Sequence, residues 1–392
     1  MSDEARRRVR VGTGVSGLKD ASEAGKAAAA QAVRPLAGEA PGLVMVFATP
    51  RYDLPALLAG IRSVTGTALL VGSTGSGEIV QGEYLGFGGG VGVLAMTAGR
   101  YRFAAVSASG IGGDLDKAGQ ALARASRDQA GSSPYAAAIL ITDSMLGDLQ
   151  QFVQGVYRVT GPTVVIAGGA AGDEQRFVKS SVFHDDAVLD KAALVLWIAS
   201  DRPLRVVTRH GWGPIGAPLL VTRAEGTEIA ELGGRSAAAV YEEQLGLTAA
   251  LKPEAFWPTS ILHPFGLLQP DGTHVIRVAR SKTERGTLMI QGCVPSVGSA
   301  VQVMGGSVDS LLDVTDEVVG DALGAQPGAE VLLTFSCAAR AMILGERAPE
   351  EAHRLQSAAG PVPTFGFYCC AEFGRTAGVL GTNNATLTAV AL

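Results

Sequence analysis

The sequence predicts an α/β protein in which repeated strand–helix–strand–Gly loop–strand units form mixed sheets in two packed halves. Short apolar stretches of strand length alternate with stretches of helical periodicity along most of the 392 residues. Glycine accounts for 52 residues, which indicates many tight turns rather than a helical bundle. The order strand, helix, strand, glycine loop and strand occurs three times, which is the pattern of an internal repeat.

The domain organisation is predicted as an N-terminal helical segment over residues 1–40, followed by two domains over 41–235 and 236–392. Residues 20–36 are rich in alanine with scattered charges, a composition that favours a helix packed through its alanine face. Residues 251–271 contain four prolines, so we predict an irregular connection between the two halves there.

The three repeats are predicted from matching runs of elements. The first has a strand at 43–49, a helix at 53–63, a strand and glycine loop at 68–79 and a strand at 90–96. The second has these elements at 137–142, 149–159, 163–173 and 193–199. The third has them at 331–336, 349–357, 362–372 and 385–391. Further strands are predicted at 100–107, 204–222, 274–280 and 287–304, and further helices at 114–126, 235–245 and 307–323.

Composition excludes several function classes. A net charge of −5 provides no basic surface for nucleic acid. No apolar run reaches the ~18 residues of a membrane helix, and no signal peptide precedes the first repeat. The four cysteines show no CxxC spacing, so we expect a cytoplasmic protein with reduced thiols. P-loop, GxSxG and HExxH motifs are missing, so we expect no enzyme and no metal site.

Each repeat places an acidic residue just after a buried strand and its small-residue loop: Glu78, Asp173 and Glu372. In α/β sheets, ligands bind beyond the carboxyl ends of the strands. Backbone N–H groups of glycine loops can hold an anion, and a carboxylate can hold an amine. In the alternative interpretation, each acid caps a turn by accepting backbone N–H groups.

Two residues near the third repeat leave alternatives open. Arg340 follows a strand and is suited to clamp a carboxylate, or it pairs with one of the loop acids. Cys337 is either a nucleophile with a lowered pKa beside this arginine or a small buried residue. Tyr368 is expected to point into the same cavity as Glu372. Cys369 and the next residue, Cys370, are expected to face opposite sides of their strand.

Several separated motifs, in order, resemble the FIST family of bacterial sensory modules, with its N-terminal and C-terminal domains. The N-terminal resemblance rests on residues 71–79, 168–173 and 210–216. The C-terminal resemblance rests on 335–337 with Arg340, on 366–368 with Glu372, and on Asn384 with Thr386.

The resemblance implies a cytoplasmic sensory protein that binds a small ligand, with an amino acid or similar zwitterion as the leading suggestion. Family members are often fused to output domains. Because the repeats occupy nearly the whole chain, we expect signalling through a separate partner: a histidine kinase, a cyclic-di-nucleotide enzyme or a chemoreceptor. No cofactor is expected.

The predicted ligand-binding residues combine the loop motifs with the third-repeat candidates. They are Ser73, Thr74, Gly75, Ser76, Glu78, Gly169, Asp173, Cys337, Arg340, Tyr368, Glu372 and Asn384. One alternative is a haem-binding nitric oxide sensor that regulates a histidine kinase, with His263 or His210 as the axial ligand. A second alternative is a cysteine-dependent enzyme that uses Cys337.

Overall fold

The computed structural model describes residues 8–270, 272–376 and 379–392, and most of these residues belong to three copies of one motif. Each copy, called repeat 1, 2 or 3 below, runs strand, helix, strand, helix, strand, hairpin, strand. The first half of the chain holds repeats 1 and 2, and the second half holds an inserted sheet and most of repeat 3. The predicted α/β class with mixed sheets built from repeated units is therefore confirmed.

Repeat 1 contains a first strand that the sequence analysis missed. Its elements are β1 (Val11–Ser16), α1 (Ala21–Val33), β2 (Leu43–Ala48), α2 (Leu54–Thr65), β3 (Leu69–Thr74), β4 (Glu78–Val80), β5 (Glu83–Tyr84) and β6 (Val91–Met96). Strand β1 is rich in glycine, which is a weak strand former. The glycines are required because an added Cβ at Gly12 or Gly14 would lie only 2.2 or 2.1 Å from a carbonyl oxygen of α1.

Repeat 2 follows the same order. Its elements are β7 (Arg102–Ala108), α3 (Leu115–Ala130), β8 (Tyr135–Thr142), α4 (Leu149–Thr160), β9 (Val165–Ala170), β10 (Val182–His184), β11 (Ala187–Leu189) and β12 (Ala193–Ser200). Helices α3 and α4 begin at Asp114 and Asp148, whose carboxylates accept backbone N–H groups of the first turn.

The chain enters repeat 3 through β13 (Arg205–Arg209) and then leaves it for an inserted nine-stranded sheet. The insertion contains β14 (Gly213–Pro214), β15 (Leu219–Glu225), β16 (Glu228–Leu232), β17 (Arg235–Ser236), α5 (Ala237–Gln244), α6 (Pro253–Leu262), β18 (Phe265–Leu268), β19 (His274–Arg277), β20 (Ala279–Lys282), β21 (Leu288–Ile290) and β22 (Ala300–Gly305). The predicted irregular connection at 251–271 is therefore wrong, because α6 and β18 lie there. Pro253 occupies the first turn of α6 and Pro264 precedes β18, positions where proline costs little.

The rest of repeat 3 contains one more helix than the other repeats. Its elements are α7 (Val308–Gly324), β23 (Leu332–Cys337), α8 (Ala338–Leu344), α9 (Ala348–Ala359), β24 (Thr364–Cys369), β25 (Glu372–Thr376), β26 (Val379–Asn383) and β27 (Leu387–Ala391). The short helix α8 accounts for the longer spacing of this repeat, in which 41 positions separate Val331 from Glu372.

The repeats exchange their hairpins in a cycle. The strand orders are β1-β6-β2-β3-β10-β11, β7-β12-β8-β9-β25-β26 and β13-β27-β23-β24-β4-β5. Each sheet thus contains a central parallel pair from one repeat and an edge hairpin from another: repeat 1 donates to repeat 3, repeat 2 to repeat 1, and repeat 3 to repeat 2. The exchange places the loop that precedes each hairpin at a boundary between two repeats.

The inner faces of the three repeat sheets share one apolar core, and helices cover the outer faces. Phe47 of repeat 1 stacks on Phe367 of repeat 3 with ring centroids 4.0 Å apart, and Phe335 packs edge-on against Phe47 at 6.5 Å. Cys369 belongs to this inner core and Cys370 to the outer one, so the prediction that they face opposite sides is confirmed. Among the described residues, no helix combines the length and apolar character that crossing a bilayer requires.

Glycine pairs set the close approach of α3 to α4, and replacing one of them should destabilise the fold. An added Cβ at Gly155 would lie 2.1 Å from the backbone oxygen of Asp116. We expect Gly155→Ala to lower the unfolding free energy by about 1–3 kcal/mol, because overpacking outweighs the gain of about 1 kcal/mol in helix propensity. Gly320→Ala in α7 is the matched control, since nothing lies within 4 Å of its added Cβ. Urea denaturation should show that Gly320→Ala raises the unfolding free energy. Equal effects of the two variants would contradict the close approach of α3 to α4.

Candidate functional site

The loops that follow the third strand of each repeat meet one another, an arrangement that the sequence analysis did not predict. The hydrogen bonds that join them run from Ser76 N to Tyr368 O, from Gly172 N to Thr74 O and from Cys370 N to Ala170 O, at 2.9, 2.9 and 3.0 Å. The carboxyl ends of β3, β9 and β24 are therefore joined by backbone contacts. Ligands of α/β proteins commonly bind at such strand ends.

Two clefts open between repeats at these loops. Cleft A, about 550 Å³, lies between repeats 1 and 2, and its lining includes Thr74, Asp173 and Lys179. Cleft B, about 340 Å³, lies between repeat 2, repeat 3 and the inserted sheet, and its lining includes Phe177, Arg280, Gln291, Cys370 and Asn384. Both volumes fall within the range of small-molecule sites.

Cleft B carries a cation without a counter-ion. The guanidinium of Arg280 lies over the ring of Phe177, 4.5 Å from its centroid. Within the described residues Arg280 makes no ion pair, and its side chain is exposed to the cleft and to solvent. An aromatic ring holds a guanidinium in place while leaving its N–H groups free. Arg280 is therefore oriented to receive an anionic group.

A second arginine lies directly behind the cleft. Arg277 is 6% exposed and donates to the backbone oxygens of Cys293, Ile276 and Thr382 at 2.9, 2.9 and 3.0 Å. Burial lowers the pKa of Arg277, while Cys293 and Asp148 act in the opposite direction. Carbonyl oxygens satisfy its donors without neutralising its charge. The two arginines together favour an anion in cleft B.

Asp173 organises the loop between the clefts. Its carboxylate accepts the backbone N–H groups of Phe177, Val178 and Lys179 at 2.9, 2.6 and 3.1 Å. Its side chain therefore caps a turn, as the alternative interpretation of the acids predicted. This turn includes Phe177 in the left-handed region, with φ 52°, and so places the ring under Arg280. The same loop lines cleft A through Asp173 and Lys179.

Glu78 is buried without a partner. Its side chain is 0% exposed, and neither carboxylate oxygen has a hydrogen-bond partner among the described residues. Burial, with a smaller contribution from Glu174, raises the pKa of Glu78 well above its usual range. The raised pKa favours the neutral form of the Glu78 carboxyl, so this burial does not support the prediction that Glu78 holds a ligand amine as a carboxylate.

Glu174 is a second buried acid in this region, and unlike Glu78 it has hydrogen-bond partners. The sequence analysis missed it. Its carboxylate accepts Thr49 Oγ1 at 2.6 Å, Arg51 Nε at 2.8 Å and Gly88 N at 2.5 Å. These donors satisfy Glu174 and join repeat 2 to repeat 1. Its position directly after Asp173 was the available signal.

Glu372 is buried with partners. It accepts Thr386 N at 3.2 Å and Thr386 Oγ1 at 2.8 Å, and the thiol of Cys369 lies 3.5 Å from its other oxygen. Burial raises the pKa of Glu372 to about 8, against the hydrogen bonds, which lower it. Glu372 follows Ala371, which lines cleft B, but Glu372 itself is fully buried and does not line the cleft.

Arg340 forms a buried ion pair and lines neither cleft. Its Nη2 lies 2.6 Å from Glu351 Oε2 and 2.7 Å from the oxygen of Leu311, and both charged side chains are fully buried. Glu351 lies on α9, so the expected pairing with a loop acid is wrong. Glu351 also accepts Ser336 Oγ at 2.6 Å.

Two further expectations for repeat 3 are corrected. Burial and the nearby Glu372 raise the pKa of the Cys337 thiol, so the expected lowering beside Arg340 is wrong. Tyr368 packs edge-on against Tyr84, 5.2 Å between ring centroids, on the outer face of its sheet. It therefore does not share a cavity with Glu372, which begins the next strand, β25, and contacts Cys369 and Thr386 instead.

The remaining predicted residues divide between the clefts and the interior. Thr74 lines cleft A and accepts Ser181 N, and Asn384 lines cleft B. Ser73, Gly75, Ser76 and Gly169 are buried beneath the loops. Their ligand-binding role stays a prediction.

The two histidines proposed for haem lie elsewhere. Both ring nitrogens of His210 are engaged, Nε2 with His274 O at 3.2 Å and Nδ1 with Trp212 N at 3.3 Å. His263 ends α6, and its buried Nδ1 has no partner among the described residues. Neither histidine lines cleft A or cleft B. The clefts therefore offer no histidine as an axial ligand, and the described part of the chain contains no cluster of metal-ligating side chains.

Sequence reasoning missed the residues that give cleft B its charge. Phe177, Arg280 and Gln291 come from three separate segments, and none lies in a motif. The signal available was local and weak: an exposed arginine within a short strand. Only the packing of the inserted sheet on repeat 2 brings Arg280 onto Phe177.

Comparisons with known proteins cover most of the chain. The FIST N domain matches residues 42–235 and the FIST C domain matches residues 237–375. An uncharacterized protein of Mycobacterium tuberculosis is 24% identical over 383 residues, 94% of this chain and 96% of that protein. An uncharacterized protein of Mycobacterium bovis is 28% identical over 229 residues, and the match covers 55% of this chain and 57% of that relative's length. A cyanuric acid hydrolase from A. caulinodans is similar in structure at a TM-score of 0.38 and 9% identity, over 98% of both chains.

Proposed function

The chain belongs to the FIST family of sensory domains, and we propose that it senses a small zwitterion, such as an amino acid, bound in cleft B. One observation carries the proposal. Arg280 presents a guanidinium in the cleft, held over Phe177 and without an ion pair among the described residues. A carboxylate is the planar anion that a guanidinium binds through two parallel hydrogen bonds.

Amide oxygens in the same cleft suit the ammonium end of the ligand. Asn384 donates its Nδ2 to Asn383 O, and Gln291 donates its Nε2 to Cys370 O, at 3.1 and 3.4 Å. These bonds use the amide nitrogens and leave the amide oxygens as acceptors. The site therefore pairs a cation, Arg280, with neutral amide acceptors. This combination favours a zwitterion over a dianion, because a dianion would need a second cation in place of the amides.

The position of cleft B suggests how binding becomes a signal. Its walls come from repeat 2, repeat 3 and the inserted sheet, which meet around the cleft. A ligand that contacts all three stabilises one arrangement of them over others. The altered surface would then be read by a partner protein. A histidine kinase, a cyclic-di-nucleotide enzyme or a chemoreceptor stays the predicted partner class.

The function is tested by measuring heat-induced unfolding and calorimetric binding with single amino acids. We expect a class of amino acids to stabilise the protein, and their C-terminal amides, which lack the carboxylate, to bind at least about tenfold more weakly. Arg280→Met should weaken binding by about 10- to 100-fold, since a charge-assisted bidentate pair is lost.

The control for this variant is Arg285→Met, which removes the same charge from the same sheet. Arg285 is exposed and does not line cleft B. It should leave the affinity unchanged. Binding that survives Arg280→Met, or amides that bind as well as the free acids, would contradict the proposed site.

A further inference from the structure

Two buried cysteines face each other across a pair of parallel strands. The register of β23 and β24 pairs Cys337 with Cys369, the last residue of each strand. Neighbouring strands lie about 4.8 Å apart, and a disulfide spans Cα atoms about 4.4–6.8 Å apart. Register partners of a parallel pair also point to the same face of the sheet. The strand pairing therefore places the two thiols side by side on one face of the sheet.

Both thiols meet one carboxyl group. Cys369 Sγ lies 3.5 Å from Glu372 Oε1 and 3.3 Å from Ser336 O, and the thiol of Cys337 is near the same carboxyl. The other oxygen of Glu372 is held by Thr386 N and Oγ1 at 3.2 and 2.8 Å. Thr386 thus fixes the carboxyl, so that one oxygen stays directed at the sulfur atoms. Nothing in the proposed ligand site uses this group of side chains.

We propose that Cys337 and Cys369 are a site of reversible oxidation, closed to a disulfide by a hydroperoxide with Glu372 as the proton acceptor. The pair differs from the other cysteines: Cys370 faces the outer side of the sheet, and Cys293 lies in the inserted sheet. The proposal is independent of the ligand assigned to cleft B.

The reaction balances as a two-electron oxidation. Glu372 takes the proton of the Cys337 thiol, and the sulfur attacks the peroxide; the O–O bond breaks, and the leaving oxygen departs as water or an alcohol after taking that proton. Cys337 is then a sulfenic acid. Glu372 takes the proton of Cys369, whose sulfur attacks Cys337; the S–O bond breaks, and the hydroxide leaves as water with that proton. Two thiols are oxidised, and one hydroperoxide is reduced.

Glu372 is needed because burial keeps the thiols protonated. Burial raises the pKa of both Cys337 and Cys369, so few thiolates form without a base. The pKa of Glu372, about 8, is close enough to neutral for it to take a thiol proton and return it. Cys337 is 5% exposed and Cys369 is 0% exposed, so we assign the first attack on the peroxide to Cys337.

The test is oxidation of the reduced protein with hydrogen peroxide, followed by alkylation under denaturing conditions and peptide mass spectrometry. We expect the number of free thiols to fall from four to two, with a loss of about 2 Da in a peptide pair that contains Cys337 and Cys369. A reductant should restore all four. A fully reduced protein after peroxide, or over-oxidation of Cys337 to the sulfinic acid without a cross-link, would overturn the proposal.

Variants identify the partner cysteine and the base. Cys293→Ser/Cys370→Ser keeps the proposed pair and should still form the disulfide, while Cys293→Ser/Cys369→Ser keeps the neighbouring Cys370 and should not. Glu372→Gln should slow disulfide formation by about 100-fold while leaving the cysteines in place. A cross-link from Cys337 to Cys370, or an unchanged rate in Glu372→Gln, would count against the assigned pair or the assigned base.

Discussion

Glu351→Ala is expected to lower the unfolding free energy by about 3–5 kcal/mol, because it leaves the guanidinium of Arg340 charged and buried without its partner. Arg340 and Glu351 are both fully buried, and their closest approach is 2.6 Å. The remaining bond to the oxygen of Leu311 does not neutralise the charge. Urea denaturation of the variant and the wild type measures the difference.

Two controls separate the buried ion pair from ordinary truncation. Glu350→Ala on the same helix removes a partly exposed partner of Arg347 and Arg354, and such pairs contribute about 0–1 kcal/mol. Arg340→Met/Glu351→Leu removes both charges and should cost less than Glu351→Ala. If Glu351→Ala were no more destabilising than Glu350→Ala, the buried pair would not hold repeat 3 together, and Arg340 would again be available for a ligand.

Glu78→Gln is expected to flatten the loss of stability that the protein shows as the pH rises. The pKa of Glu78 in the fold lies well above its usual range, so the folded state keeps a proton that the unfolded chain releases near pH 4.5. The unfolding free energy therefore falls with rising pH above that value, by about 1 kcal/mol per pH unit for one such group. Glutamine is neutral at every pH and removes this contribution.

The variant should therefore match the wild type near pH 5 and exceed it in stability near pH 8. Glu372 also makes the unfolding free energy fall with rising pH, up to its pKa of about 8. The unfolding free energy of Glu78→Gln should therefore still fall somewhat with pH. Urea denaturation from pH 5 to 8 provides the measurement, and Glu83→Gln is the matched control because Glu83 is exposed. Identical slopes in Glu78→Gln and the wild type would show that Glu78 is not protonated in the fold.

Sequence patterns predicted those helices and strands whose signals lie within a few neighbouring residues. The strand and helix of residues 43–63 were predicted within a few residues, since a continuous apolar run and a proline in the first turn of a helix are local signals. The turn capped by Asp173 was likewise anticipated as one of two interpretations. The prediction failed at α6, because Pro253 in the first turn and Pro258 inside the helix resembled the prolines of a loop.

Contacts between distant segments could not be predicted in this way. Arg340 was singled out as an arginine that follows a strand, and it lies in the helix α8 directly after β23. Its partner lies on the next long helix, and an acid on an amphipathic helix resembles any surface acid. Arg280 and Phe177 are separated by 103 positions in the chain, and neither belongs to a motif. No local signal distinguishes them from solvated neighbours.

The sequence by itself determined that this protein is a threefold repeat of the α/β class, that three loops carry acids, and that the chain resembles a sensory family. The repeat and the loop acids follow from periodicity and spacing, which act over a few residues, and the resemblance rests on the separate motifs. Only the tertiary structure decided that hairpins pass from one repeat to the next, that Glu78 is buried without a partner while Asp173 caps a turn, and that cleft B receives an arginine from the inserted sheet. Burial and pairing set the charge state of each acid, and both depend on which distant segments pack together.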